Sequence, residues 1–398
     1  MGFIIFLFLI LQFVAYGVTV DQIIQNHPKI KAIQKKIQAY EKKAKYEKSL
    51  PDPVISLSVK DVHFSYRPFD RGIEPMQAFE IGFSQYFPLK SKREKKAQIY
   101  YLKKDAYYCK LINEKQTIIY QVYQKVYKIW EVEQKLKVIS EYKKLAKDLI
   151  KLTDTLYSVG KVSQSEVFDA QYFYSQLLER ETFLKRKKQI LFSQLEYFTD
   201  EEIQISPEKP TKLKDIRPLM KKAKKQNPLI CYFKQRLQES TAQIKLAKLD
   251  YRPDLRFFGS YSLRDGYRDY ISIGVSFNLP LWRKTRQDIK VLEKISLKEK
   301  ESSELKNIQK KVLAQLKESY YKAVSHYEIY SLLENVMMHQ TKSVYESVIS
   351  EYQVGEKNIF DVLKAINQIL SVKIRSIEEI SEYNIALKDI QRLTGEIR

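Results

Sequence analysis

Between Pro88 and Gly160, and again between Pro280 and Gly355, the chain contains neither glycine nor proline. These residues are what interrupt helices, since proline lacks the amide donor and glycine loses the most conformational entropy on ordering. Two uninterrupted stretches of this length therefore call for long helices. In the first, Ile119, Val122, Val126, Ile129, Val132, Leu136 and Ile139 step by threes and fours, the spacing of a coiled-coil seam. A helix over 90–156 would be about 100 Å long at about 1.5 Å per residue, more than a compact globular domain can house.

The residues that bound these stretches recur, so the chain is an internal duplication. Pro28 and Pro228 are 200 apart, as are Pro53 and Pro253. FEIGFSQYFPLKSKR from Phe79 answers YISIGVSFNLPLWRK from Tyr270, with Gly82 and Pro88 matching Gly274 and Pro280 at an offset of 192. Tyr157-Ser-Val-Gly160 answers Tyr352-Gln-Val-Gly355 at 195. Each half reads helix, strand, strand, long helix, turn, return helix. The first repeat is expected over 18–198, with strands at about 54–66 and 77–87, a long helix at about 90–156 and a return helix at 163–198. A Pro-bearing linker occupies 199–212. The second repeat follows over 213–398, with strands at about 255–264 and 268–279, a long helix at about 284–351 and a return helix at 358–394.

The strands alternate with period two. In the fourth, Ile271, Ile273, Val275, Phe277 and Leu279 lie on one face and Ser272, Gly274, Ser276 and Asn278 on the other. The third and second follow suit, with Leu255, Phe257, Tyr261 and Leu263, and with Phe79, Ile81 and Phe83. The first starts with Ile55, Leu57 and Val59, then slips phase to Val62, Phe64 and Tyr66, as a bulge allows. Two hairpins leave open edges and too little sheet to bury an apolar face, so that face must meet lipid or another chain. Strands of about 10 residues, apolar outward and polar inward, suit a membrane-spanning β-barrel, and only a closed barrel satisfies every backbone group in lipid. Four strands cannot close around a water-filled lumen, so several copies would have to contribute hairpins. The competing reading is a soluble α+β domain carrying two amphipathic hairpins.

Composition narrows the function. Lys and Arg number 70 against 48 Asp and Glu, a formal charge of +22, which makes a cytosolic, basic coiled-coil nucleic-acid binder the alternative from another class. The first 20 residues carry no charge, residues 3 to 14 are almost wholly apolar, and Ala15-Tyr16-Gly17 supplies a small-x-small site. They read as a signal peptide over 1–17, cut after Gly17, although no cation precedes the apolar run; a retained anchor and a buried N-terminal helix are the alternatives. Four His and two Cys form no nucleophile or zinc pattern, and phosphate-cradling glycine motifs are missing. No enzyme activity, cofactor or metal site is expected. Cys109 and Cys231 fall at similar distances from Pro88 and Pro253, which suits either a disulfide or two buried thiols. The Lys-rich faces at Lys185 to Lys188 and Lys221 to Lys225 read as solvated exteriors.

The order of elements, SLPDPVISL after a Pro-capped helix, QYFPLKSKR and FNLPLWRKTR closing the second and fourth strands, and YxxG turns leading into VFDA and DVLKA, resembles the TolC family of outer-membrane efflux proteins. The resemblance covers essentially the whole chain after the leader, and its wording leans toward the heavy-metal efflux branch. It implies a mainly α fold with β, in which three protomers contribute hairpins to a trimeric 12-stranded transmembrane β-barrel and long coiled-coil helices to a periplasmic α-barrel. It also implies an exit duct in the bacterial outer membrane, serving efflux or type I secretion. The homotrimer would work with a periplasmic adaptor protein and an inner-membrane pump of RND or ABC type, in contact with outer-membrane lipid and not with nucleic acid.

Site residues follow from the same resemblance. Aligning Gly160 with Gly355 sets Glu166 opposite Asp361 and Ala170 opposite Ala365. In the family a Tyr of the second turn and a basic residue just beyond its Gly bond an acidic residue of the first repeat and hold the periplasmic entrance shut. Those roles fall on Tyr352, Lys357 and Glu166, with Asp361 in a ring of carboxylates at the constriction. The pair is Lys/Glu where Arg/Asp is familiar, so guanidinium fork geometry is lost, and Lys364 stands where a second ring Asp is often found. The turns holding Tyr157, Gly160, Tyr352 and Gly355 are the expected adaptor-docking points. Read as helix positions alone, Asp361 and Lys364 are solvated residues, Glu166 decorates a helix start, and the two tyrosines are aromatic plugs.

Overall fold

The computed structural model describes residues 27–62, 74–199, 203 and 205–397. The expected leader, and Phe64 and Tyr66 of the first strand, lie outside the described residues. Along the chain run α1 (Pro28–Lys48), β1 (Val54–Lys60), β2 (Ala78–Phe87), α2 (Lys90–Ser158), α3 (Gln164–Glu196), α4 (Ile216–Gln226) and α5 (Pro228–Leu249). They are followed by β3 (Leu255–Leu263), β4 (Tyr270–Phe277), α6 (Asp288–Leu332), α7 (Met338–Val354) and α8 (Ile359–Thr394).

The order that the duplication predicts occurs twice. Pro28 and Pro228 each open a helix, at the position where a missing amide costs no hydrogen bond. Three details differ from expectation. β1 stops at Lys60, because Asp61 takes a φ of 52° and leaves the extended region. A short helix, α4, follows the linker, started by Asp215, whose Oδ1 accepts the Arg217 amide at 3.1 Å. The second long helix begins after a π-helical turn at Arg283–Gln287 and is divided by another at Leu333–Met337.

The chain forms two compact units, each drawing on both sequence halves. One comprises Ala32–Leu111 and Pro228–Gln309 and holds the sheet. Its strands are antiparallel in the order β1-β2-β3-β4, so β2–β3 pairing joins the two hairpins, and the outer edges of β1 and β4 have no partner among the described residues. Register aligns like with like across all four strands. Leu57, Ile81, Tyr261 and Ile271 form one row, and Ile55, Phe83, Gly259 and Ile273 the next. On the opposite face Ser56, Gly82, Ser260 and Ser272 are in line, and Glu80 accepts hydrogen bonds from Ser260 and Ser262 while pairing with Lys60. The Phe258 ring lies over Gly274, where a Cβ would require the ring to turn aside. The apolar rows are exposed, Ile271 at 73% and Ile273 at 85%. No helix among the described residues is long and apolar enough to cross a membrane.

Below one end of this sheet, the junctions into the helices are fixed by Asp254. Its carboxylate accepts the Leu89 amide at 2.9 Å, the Tyr86 hydroxyl at 2.8 Å and the buried Lys92 ammonium at 2.9 Å, and Lys92 also donates to the Arg252 carbonyl. In the same unit Cys109 of α2 and Cys231 of α5 form a disulfide across 122 residues, with Cα atoms 5.8 Å apart. The spacing alone had left this pairing undecided.

The other unit comprises the stretch ending at Lys31 with Ile112–Asn227 and Lys310–Arg398. Its core carries the expected α2 seam: Ile119, Val122, Val126, Ile129, Val132 and Ile139 are all buried, and Leu136 is half-buried. Val167, Phe173, Leu177 and Leu184 of α3 and Val362, Ile366 and Leu370 of α8 are buried too. Beside the seam is a charged cluster. Glu131 accepts from Lys128 and Lys135 at 2.6 Å each, and these reach Glu382 and Glu378 on α8 at 2.6 Å.

Candidate functional site

The helix turns of the second unit, with the first two turns of the return helices that follow them, contain the expected gate and adaptor-docking residues. Each turn ends its helix the same way. Gly160, at φ 74°, donates to the Tyr157 carbonyl at 2.9 Å, and Lys161 donates to Leu156 at 2.9 Å. Gly355, at φ 87°, donates to Tyr352 at 3.1 Å, and Glu356 donates to Glu351 at 2.9 Å. A left-handed residue at this position satisfies the last carbonyls of the helix, and glycine takes it without strain. The duplication is thus visible down to individual hydrogen bonds.

The side chains are less alike. Tyr157 is exposed at 46%, whereas Tyr352 is buried at 2%. Burial, and next the Glu166 carboxylate beside it, push the Tyr352 phenol up to about 12. Glu166 is in the first turn of α3, and its Oε2 accepts the Ile359 amide at 3.2 Å. A carboxylate from the first repeat therefore caps the first helical residue of α8 in the second, where the helix dipole favours negative charge. Asn358 completes the cap by accepting the Asp361 amide at 3.1 Å.

The structure thus brings Glu166, Tyr352 and the start of α8 together. Lys357 is exposed and has no ion pair among the described residues. Asp361 is half-buried in the first turn of α8, and neither its carboxylate nor the exposed Lys364 bonds to Glu166. Lys364 instead lines a groove of about 760 Å³ formed by α3, α7 and α8, with Asp169, Tyr172, Phe360 and Arg375 among its walls. Sequence reasoning passed over two parts of this arrangement. Asn358 was signalled by its position three residues before an acidic one, the pattern of a helix start. The bond from Glu166 to a backbone amide had no signal, because it depends on how α3 and α8 pack.

These turns and the registered hairpins can be compared with known proteins. The family model described as "Outer membrane efflux protein" matches residues 219–396. The match takes in α5, β3, β4 and all the later helices of the chain. A search of curated protein sequences returns no match. Solved structures match the fold of both halves. A membrane protein from Pseudomonas aeruginosa matches at a TM-score of 0.79 with 16% identity, covering 95% of this chain and 90% of that one. The Campylobacter jejuni CmeC outer membrane channel matches at 0.75 with 16% identity, covering 95% and 85%. The Vibrio cholerae outer membrane protein VceC matches at 0.76 with 13% identity, covering 94% and 95%. Over 94–95% of its length the chain shares the TolC-like fold of these proteins.

Proposed function

We propose that the chain is the outer-membrane exit duct of a tripartite efflux or type I secretion system. The observation that carries this reading is the sheet. Four strands present registered, exposed apolar rows on one face and serines with a hydrogen-bonded Glu80 on the other, and both outer edges are unpaired among the described residues. Lipid accommodates such a face, water accommodates its reverse, and only further copies of the chain can use the edges. The match of residues 219–396 to the outer membrane efflux protein model supports the same conclusion, whereas a cytosolic nucleic-acid binder has no use for either face.

In this reading three protomers close the barrel, and a periplasmic adaptor and an inner-membrane pump complete the path. The two repeats, 18–198 and 213–398, contribute equivalent parts joined by the linker 199–212. The turns at Tyr157, Gly160, Tyr352 and Gly355 face the adaptor. Glu166 and Tyr352 hold the two turns of one protomer together, Lys357 is free to reach a neighbouring copy, and Asp361 with Lys364 sets the charge that a solute meets at the constriction.

Expression of the full chain with its leader tests the reading directly. A detergent-extracted trimer recovered from the outer membrane is the expected product, and a soluble monomer defeats the assignment.

A further inference from the structure

The segment that leaves β4 has a chemistry that neither the fold nor the conduction path uses. From Tyr270 to Gln287 there is no acidic residue, but there are three cations in four positions, Arg283, Lys284 and Arg286. All three are exposed, and none has an ion pair among the described residues. Immediately before them Leu279 is exposed at 60%, and Leu281 and Trp282 at 71% each. Beyond the strand end at Phe277, exposed apolar residues therefore continue to Leu281, end in a tryptophan, and give way at once to three cations, Asp288 being the next acidic residue along the chain.

The first repeat shows that this is not a by-product of the duplication. At the offset of 192, Lys92 corresponds to Lys284 and Lys90 to Trp282. Lys92 is buried and bonded to Asp254, and the next residue, Arg93, donates to the Lys48 carbonyl at 2.8 Å. The first copy of the motif thus ties Lys92 and Arg93 into the protein and leaves Lys90 exposed. In the second copy, Arg283 makes only a 3.3 Å bond to the Pro280 carbonyl, and the π-helical turn over Arg283–Gln287 leaves the cations in solvent.

We propose that Trp282, Arg283, Lys284 and Arg286 anchor the phosphates of anionic phospholipids in the leaflet on the side where α6 leaves the barrel. The proposal rests on the membrane reading above and adds the lipid class that this rim selects. Tryptophan prefers the boundary between hydrocarbon and headgroups. Guanidinium groups one step beyond it are placed to fork onto phosphate oxygens, and ammonium groups add to the attraction of an anionic surface. Continuity with the apolar row and charge complementarity both point to lipid rather than to a soluble anion.

The test reconstitutes the purified full chain into phosphatidylcholine vesicles with and without phosphatidylglycerol and measures incorporation by flotation. Phosphatidylglycerol should raise incorporation of the wild type about tenfold, a discounted sum of three surface cations. The triple variant Arg283→Gln, Lys284→Gln, Arg286→Gln should float equally well in both, and the double variant Arg283→Lys, Arg286→Lys should keep the advantage. Inorganic phosphate, added at matched ionic strength, should leave the preference intact. A wild type that inserts equally in both lipids overturns the proposal and leaves the duct standing, as does a triple variant that keeps its preference. Loss of the preference to inorganic phosphate assigns the cations to a soluble anion. Failure of the triple variant to trimerise in detergent assigns them to a contact between copies, and each of these results also overturns the proposal. No incorporation into either vesicle defeats the duct and the anchor together.

Discussion

The Glu166 carboxylate is in the first turn of α3 and accepts an amide at the first turn of α8, so one side chain holds both return helices at their tips. Charge at a helix start is worth about 0.3–1 kcal/mol when exposed and more when shielded, enough to bias a gate without determining the fold. Glu166→Ala should therefore raise single-channel conductance in planar bilayers several-fold while leaving trimer stability nearly unchanged, and Glu166→Gln should have a smaller effect. Unaltered conductance in Glu166→Ala would remove it from the gate. Asp361→Asn keeps the backbone amide that Asn358 caps, so folding is preserved. In the proposed duct it should weaken blockade by multivalent cations added on the periplasmic side, and persistent blockade would count against a role for Asp361 at the constriction. At this scale the sequence was partly legible. Gly160 and Gly355 could be read because a left-handed helix end is a local requirement. The contrast between exposed Tyr157 and buried Tyr352 could not, since it arises from the packing of the second turn against α3.

Within the helices, α2 separates what pattern reveals from what it hides. Its seam was legible residue by residue, because burial follows a period of three to four. Lys128, Glu131 and Lys135 have the same spacing as a solvated salt-bridge face, yet Glu131 and Lys135 are buried and the cluster extends to Glu378 and Glu382 of α8. Burial alone would raise the Glu131 carboxyl, but hydrogen bonds from Lys128 and Lys135 outweigh it and hold its pKa below the usual 4.5. A carboxyl depressed in the folded state contributes stability that is present above its unfolded pKa and is lost as pH falls through the folded one. Glu131→Gln should thus cost about 3 kcal/mol at neutral pH, the penalty for leaving buried cations uncompensated. The gap from wild type should narrow below pH 4.5. Denaturant titrations across pH measure this, and a gap that does not change with pH would exclude the cluster as its origin.

At the scale of the whole chain, the duplication, the two hairpins and the order of elements could be read because proline, glycine and period-two alternation mark them locally. The Cys109–Cys231 bond could not, because pairing depends on the rotation of two helices that the spacing does not fix. Constraining a loop of 122 residues typically stabilises a fold by about 2–4 kcal/mol. Reduction should lower the Tm of the purified protein, and Cys109→Ser should reproduce the shift and be insensitive to reductant. An unreduced sample whose electrophoretic mobility does not change on adding thiol would show that the bond does not form.

The edges of β1 and β4, unpartnered among the described residues, have a further consequence for a cell that makes this chain. A ring built by edge-to-edge addition finishes only when its last strand meets its first, so a single member with a blocked edge leaves the whole assembly unclosed. A copy carrying proline in the middle of β4, co-produced with the normal chain, should poison export far beyond its own share of the population.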